Sequence, residues 1–180
     1  MIHQPLLQDI TDQIKEAQIK LGFSPNAVRL YYTVPSLCRL TGAVADDAES
    51  LCRLLSGEAF FSSSPLGALT FVPDSDRIAV TTPAQGVRYV HEHVDAPAFL
   101  LALIGLFAGH HHVSVEELTA LFASQQSPYA RLDMPPGNDF SFALYFPDGQ
   151  PDRYYYFISE EMGHLSYHRF RPEDALPYLS

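Results

Sequence analysis

Lysine is nearly missing from this sequence: Lys15 and Lys20, both near the start, are the only two. With a formal net charge of −10, the chain has no cationic stripe with which to displace counterions from a phosphate backbone, so no nucleic-acid partner is expected. Cysteine is scarce too. Cys38 and Cys52 stand in apolar settings without CxxC or Cys/His spacing, and read as reduced core thiols of a cytoplasmic protein, a single disulfide being the alternative. No apolar run is longer than Ala96 to Gly109, 14 residues, which is a buried helix rather than a membrane span. Met1 to Thr11 carries an acidic residue where a signal peptide needs a basic one, so secretion is not indicated.

High-specificity motifs are also lacking. There is no G-x-S-x-G elbow, P-loop or dinucleotide fingerprint, and Ser62-Ser63-Ser64-Pro65 reads as a loop. No cofactor is assigned. The acid pairs Asp46-Asp47, Glu116-Glu117 and Glu173-Asp174 suit the first turns of helices, where they complement the helix dipole, better than a magnesium site.

What is present is the material of one α+β domain spanning residues 1–180: a mostly antiparallel sheet covered by N-terminal and central helices. At 180 residues such a chain buries roughly 70% of the surface its unfolded form exposes. Leu6, Leu7, Ile10, Ile14, Ala17 and Leu21 recur at helical spacing, and Gly22 stands where a left-handed cap ends a helix. Ser24-Pro25-Asn26 opens a second helical run toward Leu30, Tyr31 and Tyr32, interrupted at Val34-Pro35. Ser36-Leu37-Cys38-Arg39-Leu40 recurs as Ser50-Leu51-Cys52-Arg53-Leu54; the flanks do not match, so these are two short amphipathic helices and not a duplication.

From about Gly57 the pattern turns to strands. Ala68 to Val72 and Arg77 to Thr81 flank turn chemistry at Pro73 to Asp76, which predicts a hairpin. Pro83 starts a helix with Val87, Val90, His91 and Val94 on one face. A central helix, apolar nearly all round, begins near Asp95 and ends at Gly109, and Ser114 with Glu117 forms a capping box for the next one. Gln125 to Asn138, with three prolines, reads as a loop. A three-stranded meander closes the fold, with Phe140, Phe142 and Leu144 alternating with Ser141, Ala143 and Tyr145, and the aromatic runs Tyr154 to Ile158 and His164 to Phe170 following. A short helix begins at Pro172.

The histidines invite a metal reading, and a metal-dependent hydrolase using a His/Glu cluster is the alternative function. His91 and His93 lie about 200° apart around a helix axis, and His110-His111-His112 reads as a solvated linker past a helix end. His164 and His168 share one face of a strand without an evident third ligand, Glu160 and Glu161 being equally suited to the turn. The preferred candidate is the aromatic and histidine face of the meander. Phe140, Phe142, Leu144, Leu165 and Tyr167 are placed toward the core, and Ser141, Ala143, Tyr145, Tyr155, His164, Ser166 and His168 on the other side. Tyr145, Tyr155, His164, His168 and Arg169 are the candidate binding residues, for a protein or small-molecule partner and for self-association into a homo-oligomer.

Leu21-Gly22, Arg29 to Tyr32, Tyr89-Val90-His91-Glu92, Asp152 to Tyr156, and Tyr167 to Phe170 followed by Glu173-Asp174 together resemble a bacterial family of unknown function, domain of unknown function 3877. The resemblance spans nearly the whole chain and implies a small cytosolic bacterial protein. It supplies no mechanism.

Overall fold

The structure, a computed structural model, describes residues 4–109 and 112–178, the Pro177 side chain excepted. It is a mixed α+β protein with antiparallel sheets, and the chain forms two compact units, Met1–Ala96 and Pro97–Ser180. Each has its own apolar core.

In the first unit, α1 (Gln4–Leu21) buries Leu6, Ile10 and Ile14 along the predicted stripe, and Gly22, at φ 84°, donates its N–H to the Gln18 carbonyl at 2.9 Å. The run expected to be helical after Ser24 is instead β1 (Val28–Thr33). Alternation decides it: Val28, Leu30 and Tyr32 point into the core while Arg29, Tyr31 and Thr33 point away, a period of two that a helix would scramble. Tyr32 then reaches the buried Asp9 carboxylate, donating its hydroxyl at 2.7 Å, and Gln13 donates to the same oxygen at 2.7 Å.

Val34-Pro35, expected to break a helix, begins one. In α2 (Val34–Thr41) the proline lies in the first turn, where no N–H is needed, and Thr33 caps it by accepting from Ser36 N. The repeated pentapeptides lie, as predicted, on two separate helices, α2 and α3 (Ala48–Ser56). Both cysteines are free. A single turn, α4 (Ala59–Ser62), precedes the strands.

The predicted hairpin is β2 (Thr70–Asp74) and β3 (Arg77–Thr82), in a sheet of order β1-β3-β2. Strand β2 runs on through Pro73, which an edge strand tolerates because its missing N–H faces no neighbour. Helix α5 (Ala84–His93) buries Val87 and Val90 as expected. It passes so close to the Leu66 carbonyl that Gly86 has no room for a Cβ.

The second unit opens with α6 (Ala98–Gly109), three residues later than the sequence suggested. It buries Phe99, Leu100, Leu103 and Ile104 but leaves Leu101 at the surface, so it is not enclosed all round. Among the described residues no single helix is long and apolar enough to cross a membrane. Helix α7 (Val115–Ala123) carries the predicted capping box: Glu117 N donates to Ser114 Oγ at 3.1 Å and Ser114 N to Glu117 Oε2 at 2.9 Å.

The meander consists of β5 (Phe142–Tyr145), β6 (Tyr155–Glu161) and β7 (His164–Phe170), extended by a strand within the stretch read as loop, β4 (Ala130–Asp133), to give the order β4-β5-β6-β7. The prolines at 128, 135 and 136 flank β4 rather than interrupt it. A final turn, α8 (Pro172–Ala175), starts at the predicted proline.

Candidate functional site

Directly opposed residues in an antiparallel ladder share a face. The pairings Phe142↔Ile158, Leu144↔Tyr156 and Ile158↔Tyr167 therefore put Phe142, Leu144, Tyr156, Ile158 and Tyr167 on one side of the second sheet, where they pack with Phe99, Leu103, Leu118 and Phe122. The pairings Ala143↔Phe157, Phe157↔His168 and Tyr155↔Phe170 put Ala143, Tyr155, Phe157, His168 and Phe170 on the other. Both assignments follow the alternation in the sequence. Phe140 does not: lying before β5, it swings to the second side and packs edge-on to Phe157, ring centroids 5.1 Å apart, and to His168 at 5.4 Å.

This second side has three zones. At one end Tyr145 and Tyr155, neighbours across β5 and β6, stack with centroids 4.2 Å apart and planes 16° from parallel, both half-buried. Burial, and then the neighbouring Tyr145, hold the Tyr155 phenol above its ordinary pKa, so its hydroxyl stays a neutral donor. In the middle, Phe140, Ala143, Phe157 and Ala175 are buried with Phe170 and Tyr178 against them. The C-terminal turn thus covers this part of the face. At the far end His164, Ser166 and His168 are exposed along β7.

The candidate residues are therefore only partly together. Tyr155 stands opposite Phe170, so His168 is its diagonal neighbour at about 7–8 Å. His164, four residues further along β7, is about 13 Å from His168 and lies instead against His112, centroids 4.2 Å apart and rings tilted by 31°. Arg169 is on the opposite side. It pairs with Tyr156 in register, donates from a terminal guanidinium nitrogen to Asp152 Oδ2 at 3.0 Å and lies 3.7 Å over the Tyr154 ring. Asp152 also accepts from Tyr154 N at 2.9 Å and from the Tyr156 hydroxyl at 2.8 Å.

Asp152 and Tyr154 belong to the aromatic tract singled out from the sequence but were not among the candidate binding residues. The signal was there: the alternation that sends His168 outward sends Arg169 inward, and an inward arginine needs a buried acid. These groups bond to one another and form a cross-tie rather than an open site.

The other histidines go separate ways, His91 stacking on Phe23 and His93 on Tyr89. His110 and His111 lie outside the described residues. Among the described residues no group of three or more His, Cys, Asp or Glu is placed to hold a metal ion, so the His/Glu cluster on which a hydrolase reading depended is not assembled there.

Comparison with known proteins gives one result. A family model, a domain of unknown function described from an E. rectale gene (DUF3877), matches residues 3–178. The chain belongs to the DUF3877 family. No curated protein and no solved structure matches it. Membership of DUF3877 confirms the resemblance read from the aromatic and basic tracts and carries no activity with it.

Proposed function

We propose that this chain is a small cytoplasmic interaction module that seats a segment of a protein partner on the second side of β5–β6–β7. The observation that carries the reading is the Tyr145–Tyr155 stack, two half-buried rings on the same side of the sheet as the exposed His168. Tyrosine offers a rigid apolar body with a polar tip, and histidine a donor or acceptor at neutral pH, so the strip suits a planar or apolar side chain carrying a hydrogen-bonding group. The chain's charge of −10 disfavours nucleic acid as that partner. The two free cysteines suit a reducing compartment.

The test is site-specific photo-crosslinking in cells, with the photoreactive residue at His168 or, as a control, at exposed Arg88 on α5. The reading expects a discrete protein adduct from position 168 that is missing from position 88. Identical adduct patterns, or none from position 168, contradict it.

A further inference from the structure

The first unit leaves one face of its sheet uncovered. In the β1-β3-β2 register this face has three rows: Arg29, Thr81 and Thr70; Tyr31, Ala79 and Val72; and Thr33, Arg77 and Asp74. The corners are exposed, Tyr31 and Val72 are 49% and 53% exposed, and Ala79 lies in the groove between them at 3%. An apolar row thus crosses a polar face, with a cation and an anion at opposite corners, Arg29 and Asp74, and Arg77 at the middle of one edge. Among the described residues Arg29, Arg77 and Asp74 make no ion pair.

We infer that this face is a self-association surface whose occupant is the same face of a second copy, with strands crossing near 90°. Charge complementarity selects both the occupant and the geometry. Two identical faces meeting face to face are related by a twofold axis lying in the plane of contact. An axis along the strands sets Arg77 on Arg77. An axis across them sets Tyr31 on Tyr31 and leaves Arg29 and Asp74 facing threonines. The diagonal through Arg29 and Asp74 sets like charges together at both corners. The remaining diagonal, through Thr33 and Thr70, sets Arg29 over the second copy's Asp74 twice, Arg77 over Tyr31 twice, Val72 over Thr81 twice and Ala79 on Ala79. Every charge finds an opposite charge or an aromatic ring, and the near-right-angle crossing is one of the two established ways for sheets to stack. At ordinary strand spacings the patch projects to about 250 Å², well below the roughly 800 Å² per partner of a lasting interface. The dimer is accordingly weak and forms at high protein concentration.

Sedimentation equilibrium on the full chain at several hundred micromolar tests this. The wild type is expected to show a monomer–dimer equilibrium. Arg29→Asp alone and Asp74→Arg alone should each lower the association constant at least about tenfold, by opposing like charges. Mixing the two variants should restore association: one copy then carries acids at positions 29 and 74 and the other arginines at both, so each corner again joins opposite charges. Far-UV circular dichroism checks that these exposed substitutions leave folding intact. A monomeric wild type, single variants that associate like the wild type, or a mixture no better than its components each overturns the proposal.

Discussion

Arg169 and Asp152 meet at 3.0 Å with their side chains only 7% and 4% exposed, which makes them the most deeply buried of the ion pairs described. Because Asp152 also anchors Tyr154 N and the Tyr156 hydroxyl, its loss strands several polar groups at once. Asp152→Ala is expected to cost about 3–5 kcal/mol, and Tyr156→Phe, which removes one bond and keeps the ring, about 1–1.5 kcal/mol. Urea denaturation of the two variants checks the ordering.

Gly86 should tolerate no side chain. A Cβ there would run into the Leu66 carbonyl, a backbone atom that cannot rotate aside. Gly86→Ala is expected to cost about 1–3 kcal/mol or more, although alanine favours helix elsewhere in α5. The thermal midpoint reads this directly.

Met162 is the opposite case. It sits at the tip of the β6–β7 hairpin with φ 50° and 97% of its surface exposed, followed by Gly163 at φ 79°. A side chain without local hydrogen bonding is strained there and packs on nothing. Met162→Asn, the residue such turns favour, is expected to add about 1 kcal/mol of stability, read as a higher urea midpoint.

The Tyr145–Tyr155 stack predicts behaviour in alkali. Folding raises the Tyr155 pKa above the ordinary 10.0, so below that pH both folded and unfolded phenols are neutral and the stack contributes fully. Above it the unfolded phenol ionises first, and stability falls until the folded one follows. Tyr155→Phe should lose less stability than the wild type as pH rises past 10.0, measured by denaturant titration across that range.

Local signals carried most of the fold into the sequence. The Ser114/Glu117 capping box, the Gly22 cap, Pro172 and the alternation in the meander each act within a few residues and appear where expected. The errors arose where two periods competed. Arg29 to Tyr32 suits either a helix or a strand until β3 supplies the ladder at Leu30↔Val80, a contact distant in sequence. Strand β4 is only four residues long between prolines and is held in register by β5 rather than by its own pattern. At the candidate site the face was legible and its covering was not, because the C-terminal turn that buries Phe157 and Ala143 returns from outside the meander. Arg169 was grouped by proximity with His168 when parity separates them.

The most direct test of the account is the affinity of the partner crosslinked at position 168, purified, for wild type and for Tyr155→Ala combined with His168→Ala, measured by calorimetry alongside the urea stability of both proteins. The account predicts at least about a tenfold loss of affinity, about 1.4 kcal/mol, with the variant still cooperatively folded. Unchanged affinity, or a stability loss of several kcal/mol as for truncation of a core aromatic, would show that Tyr155 and His168 serve the fold and not a partner.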